Sequence, residues 1–353
     1  MEADFYAVPS PLPAGAHGTL LRFEAVPDHP FGDVLLWRVM VLSTSLEGTP
    51  VAVTGLVMAP PGPAPAGGWR LLGLAHGTAG ITDDVAPSRT LEGGELEAAP
   101  SAVAAGYVVA ITDYEGLGTP GVHPYLVGAS EGRGVLDSIA AARQLPGLEV
   151  EDRYAIWGYS QGGHAAAWAH ELDAAWGPGL PLVGTVVGAP ATEMQAIFGV
   201  LGTLGGDLVR FFFIVAGYAA AYPSADPALV LTEAGLAVLA RADDCADALE
   251  RAIGDQTAAD LIRPDVATVE PWATLMAAND PGHIRVDSPV LILHSAADTT
   301  VPAILSEMLY DRMRSVDQEV ERRILPEGDH VGAIPAAMAD GLAWLDTRYS
   351  SSA

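Results

Sequence analysis

The 353-residue chain contains no lysine: all 17 of its basic residues are arginines. Without an ε-amino group there is no Schiff-base intermediate, no P-loop lysine to cradle phosphates and no Ser-Lys hydrolytic pair. Cysteine is nearly absent too. Cys245 stands alone, which removes intrachain disulfides, CxxC redox pairs and thiolate metal cages. Basic charge is scarce against 44 acidic residues, and the formal net charge of −27 repels phosphate backbones and anionic head groups, so nucleic acid is not an expected partner. Long apolar runs are missing as well. The longest, Phe211 to Tyr222, falls short of the roughly 18 residues that mark a membrane span, and no stable membrane insertion is expected. The opening, MEADFYAVPSPLP, has acidic residues where a signal peptide needs basic ones, and no apolar segment follows. The expectation is a cytosolic chain or one whose signal was cut away.

What is present is the material of a folded core. The sequence is 50% hydrophobic and 17% charged, with mean hydropathy +0.28, well outside the disordered range. Runs rich in Val, Leu and Ile at 34–42, 51–58, 71–75, 107–111, 154–157, 182–187, 290–294 and 320–325 read as strands. The later ones are mostly continuous rather than alternating, as expected for buried parallel strands. Helix-period segments at 130–145, 162–172, 302–316 and 334–349 separate them, with Val135, Ile139 and Ala142 on one face of the first. This alternation predicts an α/β fold with a mostly parallel central sheet flanked by helices. The Pro/Gly/Ala-rich 60–68 reads as a loop between strands.

One stretch breaks the rhythm. From Ala191 to Asp287 no clear strand stands out, while 229–240 and 243–253 look helical, and 5 arginines sit among 14 acidic residues. The reading is a helical cap over 191–287 inserted into a core made of 1–190 and 288–353. Its apolar clusters, Ile197 to Leu204 and Phe211 to Tyr222, are dense enough either to wall an acyl-chain tunnel or to pack the cap onto the sheet.

The sharpest chemical signal is Gly158-Tyr159-Ser160-Gln161-Gly162, directly after a strand and before a helical segment. G-x-S-x-G in that setting is a nucleophile elbow: the serine occupies a strained turn, and side chains two residues before and after it would collide. A serine nucleophile needs a base. His330, in Glu327-Gly328-Asp329-His330-Val331-Gly332, is the one of nine histidines that follows the last apparent strand, where such a base stands. Asp298, four residues past the strand at 290–294, is the expected orienting acid; Asp329 is its rival, but adjacent turn residues point apart. For the oxyanion, the N–H of Gln161 is one expected donor and the N–H of Thr78, in His76-Gly77-Thr78-Ala79-Gly80, the other. His164, one turn along the elbow helix, is expected to pack or hydrogen-bond. Asp113 and Glu115 are expected to brace a loop near the site, and His76 to brace its own loop.

The run from Tyr107 through Asp113-Tyr114-Glu115-Gly116, Ser130-Glu131-Gly132 and Gly158-Tyr159-Ser160-Gln161-Gly162-Gly163-His164 resembles the secretory lipase family of α/β-hydrolases, the yeast lipase A type. The opening Phe5-Tyr6 to Pro11-Leu12-Pro13-Ala14-Gly15 and the strand containing Gly55-Leu56-Val57 are similar too. The resemblance implies the α/β-hydrolase fold with a helical cap before the acid-bearing strand, and ester hydrolysis with Ser160, Asp298 and His330 as the triad. The expected function is a carboxylic-ester hydrolase, a lipase or esterase acting through an acyl-enzyme on a small-molecule ester or acylglycerol, with no cofactor and no metal. An acyltransferase or peptidase on the same triad, and a catalytically silent hydrolase-fold binding protein, are the competing readings. Haloalkane dehalogenases and epoxide hydrolases carry an aspartate where Ser160 stands.

Overall fold

The computed structural model describes residues 4–204, 207–242 and 246–351; Cys245 lies outside them. Nine strands form one sheet: β1 (Leu20–Ala25), β2 (Leu35–Thr44), β3 (Pro50–Ala59), β4 (Trp69–Ala75), β5 (Tyr107–Thr112), β6 (Val150–Tyr159), β7 (Leu182–Gly188), β8 (Val290–Ser295) and β9 (Val320–Leu325). Their spatial order is β1-β2-β3-β5-β4-β6-β7-β8-β9. The first three strands and β5 pair antiparallel, and every pairing from β5 onward is parallel. Each expected strand is present. β5, β7 and β8 are buried along their whole length, which is why their sequences read as unbroken apolar runs. β1, LLRFEA, is an edge strand that is half to fully exposed; with no buried face to maintain, it carries no clean alternation and gives no strand signal.

The helices are α1 (Pro87–Thr90), α2 (Gly94–Ala104), α3 (Gly128–Ala142), α4 (Gln161–Trp176), α5 (Met194–Leu204), α6 (Leu208–Ala221), α7 (Glu233–Leu239), α8 (Ala246–Ile253), α9 (Ala258–Leu261), α10 (Trp272–Ala278), α11 (Ala303–Ser315) and α12 (Ile334–Ser351). Successive strand residues feed opposite faces of the sheet. Leu72, Leu74 and Trp157 pack with α2 and α12 on one side, while Leu71, Ala75 and Ile156 pack with α3 and α4 on the other. α2 was not legible as a helix because Pro100 falls inside it, where it removes a backbone bond. The surrounding Glu, Leu and Ala residues and a buried apolar face outweigh that loss.

Helices α5 to α10 lie between β7 and β8 and share a third apolar cluster. Phe198 stacks at 4.7 Å on Phe211 and at 5.5 Å on Trp272. Only an isolated bridge, Leu231 to Ile262, interrupts the helical character among the described residues. The helix expected over 229–240 begins later, at Glu233, because the Thr232 side chain accepts from the Gly235 N–H at 3.1 Å and caps it there. The helix expected over 243–253 is described from Ala246 onward. Among the described residues no helix is long and apolar enough to cross a membrane.

Candidate active site

β6 delivers the chain to a sharp turn at Ser160, and α4 leads away from it. Ser160 sits at φ 59°, ψ −121°, a backbone state that costs a non-glycine residue about 1–3 kcal/mol and persists only where its surroundings impose it. The glycines on either side are that imposition. A Cβ on Gly158 would lie 2.0 Å from the carbonyl oxygen of Gly162, and one on Gly162 would lie 1.9 Å from the carbonyl oxygen of Ala75 at the end of β4. The turn is therefore squeezed against itself and against the neighbouring strand, which aims the serine above the sheet.

The loop after β9 brings His330 to this serine, and the loop after β8 brings Asp298 to the histidine. His330 Nε2 lies 2.8 Å from Ser160 Oγ, and His330 Nδ1 lies 2.6 Å from Asp298 Oδ2. Asp329, the rival acid, turns back on its own loop and accepts from the Gly332 N–H at 2.8 Å. Asp298 is held from several sides. Its Oδ1 accepts from the Thr300 and Val301 amides at 2.9 Å each, and His294 Nε2 lies 3.4 Å from Oδ2. Burial alone would push the Asp298 carboxyl upward, but the hydrogen bonds from His294, His330 and the Val301 amide prevail and hold it well below the usual carboxylate range. Its charge therefore stabilises the fold at all pH values above the ordinary carboxylate pKa of about 3.9, and that stabilisation is lost as pH falls through the lowered value. An acid ionised at neutral pH against a histidine that touches a serine can fix the imidazole tautomer and stabilise the imidazolium.

Gln161 opens α4, so its N–H is among the first-turn amides that lack an intrahelical acceptor. Thr78 lies in the loop after β4, and its hydroxyl is 2.7 Å from the Tyr125 hydroxyl. Burial pushes the Tyr125 phenol up to about 12, so it stays a neutral hydrogen-bonding group. Thr78, Ser160 and Arg210 border two cavities that meet at the serine. Tyr125 and Arg210 were not expected from the sequence; each reaches the site through a loop or helix far from the elbow, and no local pattern marks it.

A profile of the secretory lipase family matches residues 93–353. The chain belongs to that family. A Mycobacterium tuberculosis protein described as a probable inactive lipase is 26% identical over 98% of this chain and 81% of its own length. Lipase 6 of Candida albicans is 26% identical over 62% of this chain and 50% of its own. Among solved structures, Candida antarctica lipase A superposes with a TM-score of 0.82 at 20% identity, over 99% of this chain and 86% of that one. The fold is thus the α/β-hydrolase fold expected from the resemblance. Family membership and fold together support ester hydrolase function.

Beneath the elbow, the chain buries a polar network. Glu131 Oε1 accepts from the Gln161 side chain at 2.7 Å and from the Leu126 N–H at 2.9 Å, and its Oε2 lies 2.9 Å from His164 Nδ1. His164 Nε2 is 2.8 Å from the Asn279 carbonyl oxygen. Burial alone would push His164 down, but the Glu131 carboxylate outweighs it and raises its pKa. His164 is therefore a hydrogen-bonding residue that ties α4 to α3 and to the end of α10. Asp113 accepts from the Ser88 amide at 2.8 Å and from the Thr54 hydroxyl at 2.7 Å, and Glu115 accepts from the Ser130 hydroxyl at 2.6 Å. The two carboxylates hold different neighbours and share no site. His76 bonds through Nδ1 to its own loop, at 2.6 Å from the Gly77 carbonyl oxygen. Burial pushes its pKa down to about 4, so it stays neutral in that brace.

The larger of the two cavities at Ser160 encloses about 430 Å³ beneath α5 and α6, with Leu126, Ile197, Leu201, Ile214, Val301 and Leu305 in its wall. Phe212, which the apolar run also offered as a tunnel residue, packs in the core of the helical segment without lining this cavity, whereas Ile214 does both. The run therefore divides between cavity wall and packing, because residues two apart on a helix face different ways.

Proposed function

We propose that this chain is a serine carboxylic-ester hydrolase with Ser160 as nucleophile, His330 as base and Asp298 as orienting acid. The observation that carries the reading is the hydrogen-bonded run from Ser160 through His330 to Asp298 at a strained elbow. Ser160 Oγ attacks the ester carbonyl carbon as its proton passes to His330 Nε2. The Gln161 and Thr78 amides, with the Thr78 hydroxyl beside them, receive the oxyanion. Collapse expels the alkoxide, which takes the proton from His330 and leaves an acyl group on Ser160; water, deprotonated by the same imidazole, then attacks the acyl carbon, and the bond to Ser160 Oγ breaks as His330 returns the proton to that oxygen and the acid leaves. Residues 191–287 act as a cap whose apolar cavity holds the acyl chain.

That cavity sets the first test. Each buried methylene contributes about 0.8 kcal/mol at most, so kcat/KM on p-nitrophenyl esters should climb several-fold per two carbons until the cavity is full. Ile214→Trp, which fills part of it, should move the best substrate to a shorter acid while acetate turnover stays within about threefold. Rates that fall steadily from acetate upward in both enzymes would make the cavity an unused void. The description of the mycobacterial relative as a probable inactive lipase motivates a second reading, a silent hydrolase-fold binding protein, which turnover of any ester in the series would exclude.

A further inference from the structure

The proposed ester chemistry uses only the backbone N–H of Gln161, yet the side chain of this residue is buried and tied twice. Its Nε2 donates to Glu131 Oε1 at 2.7 Å and to His123 Nε2 at 2.8 Å. His123 can only accept there. Its Nδ1–H donates to the Glu115 carbonyl oxygen at 2.9 Å, and burial pushes its pKa down, so the ring is neutral with a lone pair on Nε2. Both neighbours of the Gln161 amide group are therefore acceptors, and one orientation of the side chain satisfies them.

Glu131 is fixed in its turn. It is fully buried in the first turn of α3, where it accepts from the Leu126 N–H at 2.9 Å and meets His164 Nδ1 at 2.9 Å. Burying a carboxylate among polar side chains is often no more stable than apolar packing of the same volume, and the ester chemistry touches none of these side chains. What the network adjoins is the start of α4. Gln161 is the first residue of that helix and follows the strained Ser160 directly, its N–H lacks an intrahelical acceptor, and helix ends fray. A donor aimed at a developing charge, however, loses its value when it is displaced by a fraction of an ångström.

We infer that Glu131 is a positioning residue of the active site: by holding the Gln161 side chain to α3 it fixes the first turn of α4, and with it the Gln161 N–H that receives the oxyanion. This rests on the ester-hydrolase reading above and adds what holds one of its donors in place. The oxyanion forms both when Ser160 is acylated and when water attacks the acyl group. A loosened donor therefore slows the two steps alike, which lowers kcat and leaves KM unchanged.

The test is a double-mutant cycle on hydrolysis of p-nitrophenyl butyrate, with kcat expressed per site titrated by a p-nitrophenyl phosphonate. Removing an oxyanion donor outright costs about 10²–10³ in kcat, and displacing one costs less, so Glu131→Ala and Gln161→Met should each lose about 10-fold to 100-fold with KM within about threefold. The double variant should fall no more than about threefold below the weaker single variant, because both changes cut the same tie. Glu131→Gln should keep kcat within about threefold of the unaltered protein: its amide oxygen accepts from Gln161 and Leu126, and its NH2 donates to an unprotonated His164 Nδ1. A network that only stabilises the fold would lower the melting temperature and leave kcat per titrated site unchanged in Glu131→Ala and Gln161→Met. That result overturns the inference, as do single losses that multiply in the double variant, or a loss in Glu131→Gln as large as in Glu131→Ala. If Glu131→Ala does not fold, Gln161→Met decides alone by the same kcat and KM criteria. All of these outcomes leave the ester-hydrolase reading standing, whereas an unaltered protein that hydrolyses no p-nitrophenyl ester overturns both.

Discussion

Ser160→Ala should lower kcat on a p-nitrophenyl ester by about 10⁶-fold, the loss seen when the nucleophile of a serine protease is removed. The chain has no lysine, and among the described residues no cysteine lines either cavity at the elbow. What survives should be the modest acceleration provided by binding and by the Gln161 and Thr78 amides. Alanine keeps the backbone conformation no easier to adopt than serine does, so the variant should fold with an unchanged far-ultraviolet spectrum. A folded variant that retains more than about one per cent of the rate would remove Ser160 from the mechanism.

The second large effect separates two aspartates only 31 residues apart. Asp298→Asn should reduce kcat by about 10⁴, as loss of the orienting acid does in a serine protease triad, because the amide stabilises the wrong histidine tautomer and supplies no charge for the imidazolium. Asp329→Asn should change the rate by no more than a few-fold. Asp329 adjoins His330 in sequence, yet its carboxylate is occupied with the Gly332 amide at 2.8 Å, whereas Asp298 Oδ2 is 2.6 Å from the imidazole. Steady-state rates of the two purified variants decide the matter, and comparable losses in both would mean that the loop around His330, rather than one carboxylate, orients the base.

These residues were legible because each is tied to a local pattern. The elbow is a contiguous pentapeptide between a strand and a helix, and its glycines are demanded by contacts within the turn and with the adjoining strand. Asp298 follows a strand whose apolar sequence is plain, and His330 follows a more polar one, VERRIL, just before the last helix. What stayed hidden depends on distant partners. Glu131 lies 30 residues from Gln161 and 33 from His164, and nothing in Ser130-Glu131-Gly132 announces that its carboxylate is buried between them. Glu95 sits in a helix that Pro100 disguises. Tyr159 reads as the variable position of the elbow motif, although its ring is fully buried beside Trp157 and His330. Phe212 and Ile214 belong to one apolar run and to one core cluster, and the sequence offers no means of telling that only Ile214 also lines the cavity.

The most direct test of the central claim is an active-site titration. An ethyl p-nitrophenyl alkylphosphonate should phosphonylate Ser160 as the nucleophile displaces p-nitrophenolate and its proton moves to His330, forming a tetrahedral adduct that the oxyanion donors hold. The account predicts a burst of one p-nitrophenolate per chain, loss of ester turnover in step with it, and a single modified peptide bearing Ser160. Release without stoichiometric limit, or a label on any residue other than Ser160, would contradict it.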